Sequence, residues 1–291
     1  MASTAIGELA VRTLGQRAKG DPFDPATHSE IVKPGELIDI VELSPLTLTD
    51  RRIYNLLIAN AWERIDEPIV HRISKVALKG THQGNERLES SLLRLMATIA
   101  IVTIRLGGKP HKRRVALLGA SDESLEKDGY LHYRIPEELI EILRSSEVYA
   151  RLKTQVMYCF ESKYTLCLYE MISLRINLHF KQSEEFSVDE LRSLLNVPAD
   201  KLGRFADFNK YCLKVAETEI NRLCPFYMQF EPLKTGKKVE RVAMRWFTKT
   251  AGGKRDAANL IEQHSLVRRA RARSGLPELP VILDFSNPSH R

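Results

Sequence analysis

The 291-residue sequence predicts an α+β fold of two consecutive units that share one plan. Three observations predict it. Each half holds apolar residues at helical spacing in three successive stretches. Each series runs into a strand-like segment, a glycine turn and a second apolar strand, the pattern of a β-hairpin. Each hairpin carries a cluster of lysines and arginines. The length accommodates about two ordinary domains.

Residues 1–36 mix small residues with turn formers, among them Gly20-Asp21-Pro22 and Pro34-Gly35, and are expected to form a flexible leader. The first unit is assigned to residues 37–149. Its first helix is expected to open at Asp50 under a Thr49 cap, with Ile53, Leu56, Leu57 and Ala61 at helical spacing. A shorter helix follows near Ile73–Leu78. After the turn-like Gly80–Gly84, a third helix should run from Asn85 to Thr98. Leu88, Leu92 and Leu95 lie on one face of it, and Arg87, Ser90, Ser91 and Arg94 on the other. Ile99–Leu106 reads as a strand, Gly107-Gly108 as a turn and Val115–Leu118 as the return strand. That hairpin places Lys109, His111, Lys112, Arg113 and Arg114 at its tip. A charged loop (Ser121–Gly129), a strand (Tyr130–Ile135) and a short helix after Pro136 complete the unit.

The second unit, residues 150–250, repeats the order. A helix is predicted from Ser162 to Arg175, and Ser187-Val188-Asp189-Glu190 is a capping box that opens a short helix. A longer helix follows from Asp207 to Leu223. Phe208, Cys212, Ala216, Ile220 and Leu223 form its apolar side, and Lys210, Lys214, Thr218 and Asn221 its polar side, with Tyr211 at the edge. Phe226–Phe230 and Val239–Phe247 are strands joined by the basic turn Lys234–Lys238. Residues 251–291 are read as a basic extension holding Arg268, Arg269, Arg271 and Arg273, either a phosphate-binding tail or a solvated one. Pro277, Pro280 and Pro288 argue against a long terminal helix. Helix, helix, longer helix and hairpin is the order of a winged helix, a helix-turn-helix followed by a β-hairpin. The fold is therefore a tandem pair of winged-helix domains, an architectural repeat with little residue identity between its halves.

The distribution of charge indicates a partner. The net charge is +7 overall, but residues 71–120 hold ten basic against two acidic residues and residues 201–250 eleven against five. The rest of the chain is net acidic. Charge runs also cover ordinary solvated faces. Two concentrated patches, each on a helix-plus-hairpin, point instead to a polyanion. No apolar run is long enough for a membrane span, and no secretory signal opens the chain. Cys159, Cys167, Cys212 and Cys224 form no C-x-x-C pair, so reduced packing cysteines of a cytoplasmic protein are expected, with no metal and no cofactor.

A helix with one apolar and one polar face fits the major groove of double-stranded DNA, where each base pair shows a distinct donor and acceptor pattern. In the second unit the residues expected at DNA are Lys210, Tyr211, Lys214 and Thr218 on the helix, Lys201 and Arg204 ahead of it, and Lys234, Lys237, Lys238 and Arg241 on the hairpin. In the first they are Arg87, Ser91 and Arg94 on the helix, with Lys75, Lys79, Thr81 and His82 before it. Lys112, Arg113 and Arg114 serve as wing cations against backbone or minor groove. Leu131-His132-Tyr133 and Leu178-His179-Phe180 offer one histidine each where a DNA-nicking enzyme needs a pair. Lys234–Lys238 lacks the earlier glycine of a phosphate loop. No catalytic constellation stands out, and the protein is not expected to be an enzyme.

Ser162-Lys-Tyr-Thr-Leu-Cys-Leu-Tyr-Glu170 resembles the helix that opens the second winged helix of iteron-plasmid replication initiators, the Rep_3 family. The resemblance continues through Phe186-Ser-Val-Asp-Glu-Leu191, Leu195-Asn-Val-Pro198 and Phe205-Ala-Asp-Phe208, and ends in Leu213, Ala216 and Glu219-Ile-Asn221. Leu46-Thr-Leu-Thr49 and Arg94-Leu-Met96 extend it more loosely into the first unit, for a coverage of about residues 37–247. It implies an initiator that binds tandem origin repeats (iterons) as a monomer, helps to open adjacent A+T-rich DNA and recruits host initiator and replicative helicase. It also implies a homodimer, in equilibrium with the monomer and joined through the first domain, that represses its own promoter at an operator. Such a protein is cytoplasmic and associated with plasmid and nucleoid. A winged-helix transcriptional repressor without a replication role is the alternative.

Overall fold

In a computed structural model, which describes residues 29–79, 85–123, 129–144, 146, 148–176 and 181–273, each half of the chain folds as a winged helix. The chain runs in through β1 (Glu30–Pro34) and β2 (Val41–Glu42). Then α1 (Leu48–Ala61), β3 (His71–Ser74), α2 (Lys75–Lys79) and α3 (Asn85–Ala97) build the helical part of the first unit. Its wing is β4 (Ile99–Leu106) with β5 (Lys109–Ala116), followed by β6 (Ser121–Glu123), β7 (Tyr130–Tyr133) and α4 (Glu137–Arg144). β8 (Tyr149–Lys153) and α5 (Thr154–Cys159) lead into the second unit. There α6 (Lys163–Arg175), β9 (Ser183–Ser187) and α7 (Val188–Leu194) precede a long helix in three parts: α8 (Phe205–Phe208), a π turn (Asn209–Leu213) and α9 (Lys214–Leu223). The wing β10 (Phe226–Thr235) and β11 (Lys238–Thr248) follows, and α10 (Ala251–Arg273) ends the described chain.

Four sequence expectations are corrected. Thr47, not Thr49, caps α1: its hydroxyl accepts from the Asp50 amide at 3.2 Å, and the Asp50 carboxylate accepts from the Thr47 amide at 2.9 Å. That reciprocal box requires a three-residue spacing, which Thr49 cannot supply. Residues 30–34, expected in the leader, pair antiparallel with β8 and bury Ile31 and Val32. The first wing turns in two residues. Gly107 and Gly108 both have positive φ (57° and 79°), so Leu106 pairs with Lys109 at once and the cations lie along β5 rather than at a tip. Finally, residues 251–273 are helical. The three prolines all lie beyond Arg273, and Ala257, Ile261 and Ser265, spaced four apart, bury one stripe of α10 beside α5 and α9.

The sheets differ between the units. In the second, β9 joins the wing as β10-β11-β9. In the first, β2-β4-β5 and β3-β7-β6 are separate sheets. The core is largely apolar, with Trp62, Tyr133, Phe160, Phe208 and Trp246 among its largest buried side chains.

Charge, not only apolar area, joins the units. Lys33 on β1 and Glu170 on α6 form an ion pair at 2.9 Å with both side chains buried, and Asn55 of α1 donates to the same carboxylate at 2.6 Å. Arg52 donates to the carbonyl of Met157 at 3.1 Å and to that of Phe160 at 2.5 Å. Arg175 bridges Asp39 and Glu184. Asn196, with φ 51° just past α7, accepts from the Glu42 amide at 2.6 Å. Asparagine tolerates that left-handed conformation better than most residues, and it ends the helix here.

Candidate nucleic-acid interface

The second unit presents its long helix outward. Ser187 and Glu190 close the predicted capping box on α7. Arg192, at the far end of α7, donates to the carbonyls of Leu202 (2.5 Å) and Lys201 (2.7 Å) and lies over the Phe208 ring at 5.4 Å. One guanidinium thereby fixes the turn between the two helices, and the exposed Lys201 and Arg204 stand on that turn. Beyond it, Phe208, Cys212, Leu213, Ala216, Ile220 and Leu223 are buried, as the periodicity requires. Lys210, Tyr211, Lys214, Val215 and Thr218 are left to solvent. A π turn widens the helix at Asn209–Leu213, the segment that carries Lys210 and Tyr211. Such widenings recur at functional sites.

Several of these polar groups are already engaged. Lys210 Nζ lies 4.8 Å from the centre of the Tyr211 ring. Lys214 pairs with Glu217 at 2.8 Å, and the other Glu217 oxygen accepts from the Phe230 amide at 3.0 Å. Thr218 donates its hydroxyl proton to the Lys214 carbonyl at 2.8 Å. Asn221, expected on the polar side, makes two hydrogen bonds to the backbone of Met228, at 2.9 and 2.6 Å. Glu217 and Asn221 thus tie the helix to the wing strand. Lys249 reinforces the joint by donating to the Asn221 carbonyl at 2.6 Å. Glu219 on the inner side is buried. Burial raises its carboxyl above the usual carboxylate range. Side-chain hydrogen bonds thus join helix to wing, and α6 packs against the inner side of the helix.

The second wing is open. Lys234, Lys237 and Lys238 are exposed around a two-residue turn in which Gly236 has φ 62° and Thr235 pairs with Lys238. Arg241 is exposed but pairs with Glu185 at 3.1 Å.

The first unit uses its polar residues differently. Ser91, expected on the outer face of α3, is buried, only 1% exposed, against the start of α1. Arg94 makes two hydrogen bonds of 2.8 Å to the buried Asp50 carboxylate. Burial alone would raise Asp50; the hydrogen bonds from Arg94, Ser91 and Thr47 hold it below the usual carboxylate range. Lys75 is paired with Glu123, and Arg113 with Glu141 at 2.9 Å. These four side chains join elements of the fold, because each has an acidic or buried partner within reach. Lys112 and Arg114 are exposed along β5. The side chains of Lys79 and Arg87, and Thr81 and His82 entirely, lie outside the described residues. Among the described residues no cluster of His, Cys, Asp or Glu could hold a metal ion, and no helix is long and apolar enough to cross a membrane. The four cysteines are buried and none forms a disulfide, and burial pushes the Cys167 thiol up to about 11.

Sequence reading missed Arg192, Glu217 and Val215. The three-residue spacing of Lys214 and Glu217 was a readable signal for their pairing. The contact of Glu217 with Phe230 and that of Arg192 with Leu202 arise only once the chain has turned.

Comparison with known proteins gives the following. Residues 30–173 match the family model described as "Initiator Replication protein, WH1", and residues 187–246 the one described as "Initiator Rep protein, WH2". A solved structure, "Crystal structure of Pi initiator protein in complex with iteron DNA", is similar in fold. Its TM-score is 0.54 at 20% identity, over 76% of this chain and 98% of that chain. No curated protein matches the chain.

Proposed function

The chain belongs to the family of initiator Rep proteins, with both of that family's winged-helix modules present in order, and from that premise we propose that it initiates plasmid replication by binding tandem origin repeats. The observation that carries this reading is the long helix of the second unit. It stands exposed with Lys210, Tyr211, Lys214 and Thr218 outward, locked to a wing whose turn holds Lys234, Lys237 and Lys238. A reading helix and a backbone-gripping wing are the two parts a winged helix needs to fix register on a duplex. Pi initiator, of like fold, has been seen in complex with iteron DNA.

The second unit (residues 150–250) is the main reader. The first (residues 37–149) adds phosphate contacts through Lys112 and Arg114 and supplies the dimer interface of a self-repressing form. Both helices approach successive major grooves on one face of the duplex, about one turn (~10.5 bp) apart. The bound monomers open the adjacent A+T-rich DNA and recruit host initiator and replicative helicase. The test is transformation of a host with a plasmid whose only replication functions are this gene and its flanking direct repeats. Stable maintenance supports the proposal. Failure to replicate, with the protein expressed and bound to those repeats, leaves a repressor instead.

A further inference from the structure

The outer face of the long helix offers fewer free polar groups than its sequence implies. Lys214 is held by Glu217, itself held by the Phe230 amide, and the hydroxyl proton of Thr218 is committed to the helix backbone. What remains outward at helical spacing is an apolar strip: Tyr211, 55% exposed, then Val215, 39% exposed, then Thr218. Val215 keeps that exposure although Cys212, Ala216 and Ile220 beside it are fully buried. Lys210 has no described acidic partner, and it lies over the Tyr211 ring.

We propose that Val215, flanked by Tyr211, is a specificity-determining residue that reads the 5-methyl group of thymine in the major groove, while Lys214 positions Glu217 and the wing rather than reading a base. The inference rests on the reading of this helix as the DNA-binding element. Thymine is the base that presents an apolar group in the major groove, and small apolar side chains are its matching contacts. Burying one methyl against Val215 contributes about a fourfold gain in affinity. Lys210 then serves phosphate or guanine at the edge of the same groove.

The test uses the full chain and a duplex it selects from a random-sequence pool. Each thymine in the selected site is replaced singly by uracil, which removes only the methyl group. Conversion at one or more positions should weaken the wild type about fourfold or more per methyl. It should cost Val215→Ala nothing further at that position, while Lys214→Ala keeps the methyl penalty. If no conversion matters to the wild type, or Val215→Ala remains as methyl-sensitive, the inference is overturned while the DNA-binding reading stands. If the chain selects no sequence from the pool, the reading of the helix falls, and this inference with it.

Discussion

The two winged helices follow one plan but expose different chemistry. In the first, two polar side chains of the third helix are engaged by the fold. Ser91 is buried, Arg94 clasps the Asp50 carboxylate, and Lys75 and Arg113 each find an acidic partner on a neighbouring element. In the second, the equivalent helix keeps Lys210, Tyr211, Val215 and Thr218 outward, and Glu217 and Asn221 brace the wing. Amphipathic patterning shows which face of a helix is polar. Whether that face is free depends on what other elements bring against it. The first unit adds β6, β7 and α4 beyond the common plan, and with them come Glu123 and Glu141. α10, which follows the second unit, packs beside α5 and α9 through Ala257 and Ile261, and among the described residues Lys210, Tyr211 and Val215 stay exposed.

The contrast can be broken first at Asp50. Asp50→Ala removes the capping-box carboxylate and the partner of Arg94, so urea unfolding should show a loss of about 2 kcal/mol. A loss below a few tenths would mean that the clasp holds nothing. Next comes Lys210→Ala, which should weaken binding to the selected duplex by ~1–3 kcal/mol if it reads a base, with the melting temperature unmoved. On the wing, Lys237→Ala with Lys238→Ala should weaken all duplexes alike and flatten the salt dependence by about 0.9 log units per lost phosphate contact. A sequence-selective loss there would assign base reading to the wing.

A further effect is on pH. His71, in the first unit, is pushed down to about 4, chiefly by burial and further by Arg64, from an ordinary value of 6.5. Between those values the unfolded chain takes up a proton that the folded chain refuses. Stability should therefore fall as pH drops from about 6.5 to about 4, with no effect above that window. His71→Leu should remove that part of the slope.

Much of this architecture is legible in the sequence where a local rule governs it. Ser187 and Glu190 announce the start of α7, and the alternation of Phe226–Phe230 gives β10, because caps and pleats depend on near neighbours. Long-range partners are not legible. β1 looks like leader until β8 lies beside it, and α10 shows too narrow an apolar stripe to be noticed without α5 and α9. The site divides in the same way. The exposure of Lys210 and Tyr211 follows from periodicity alone, whereas the engagement of Ser91 and Arg94 depends on Asp50, more than forty residues earlier in the chain.

The claim that the second unit reads and the first unit's helix supports is tested most directly by one ratio: affinity for the selected duplex over affinity for a scrambled one. It should be measured for Arg94→Ala and for Lys210→Ala combined with Tyr211→Ala, at a temperature where both variants are folded. The account predicts that the double variant loses most of that ratio while Arg94→Ala keeps it and only melts earlier. A collapsed ratio for Arg94→Ala at unchanged stability, with the double variant still selective, would contradict it.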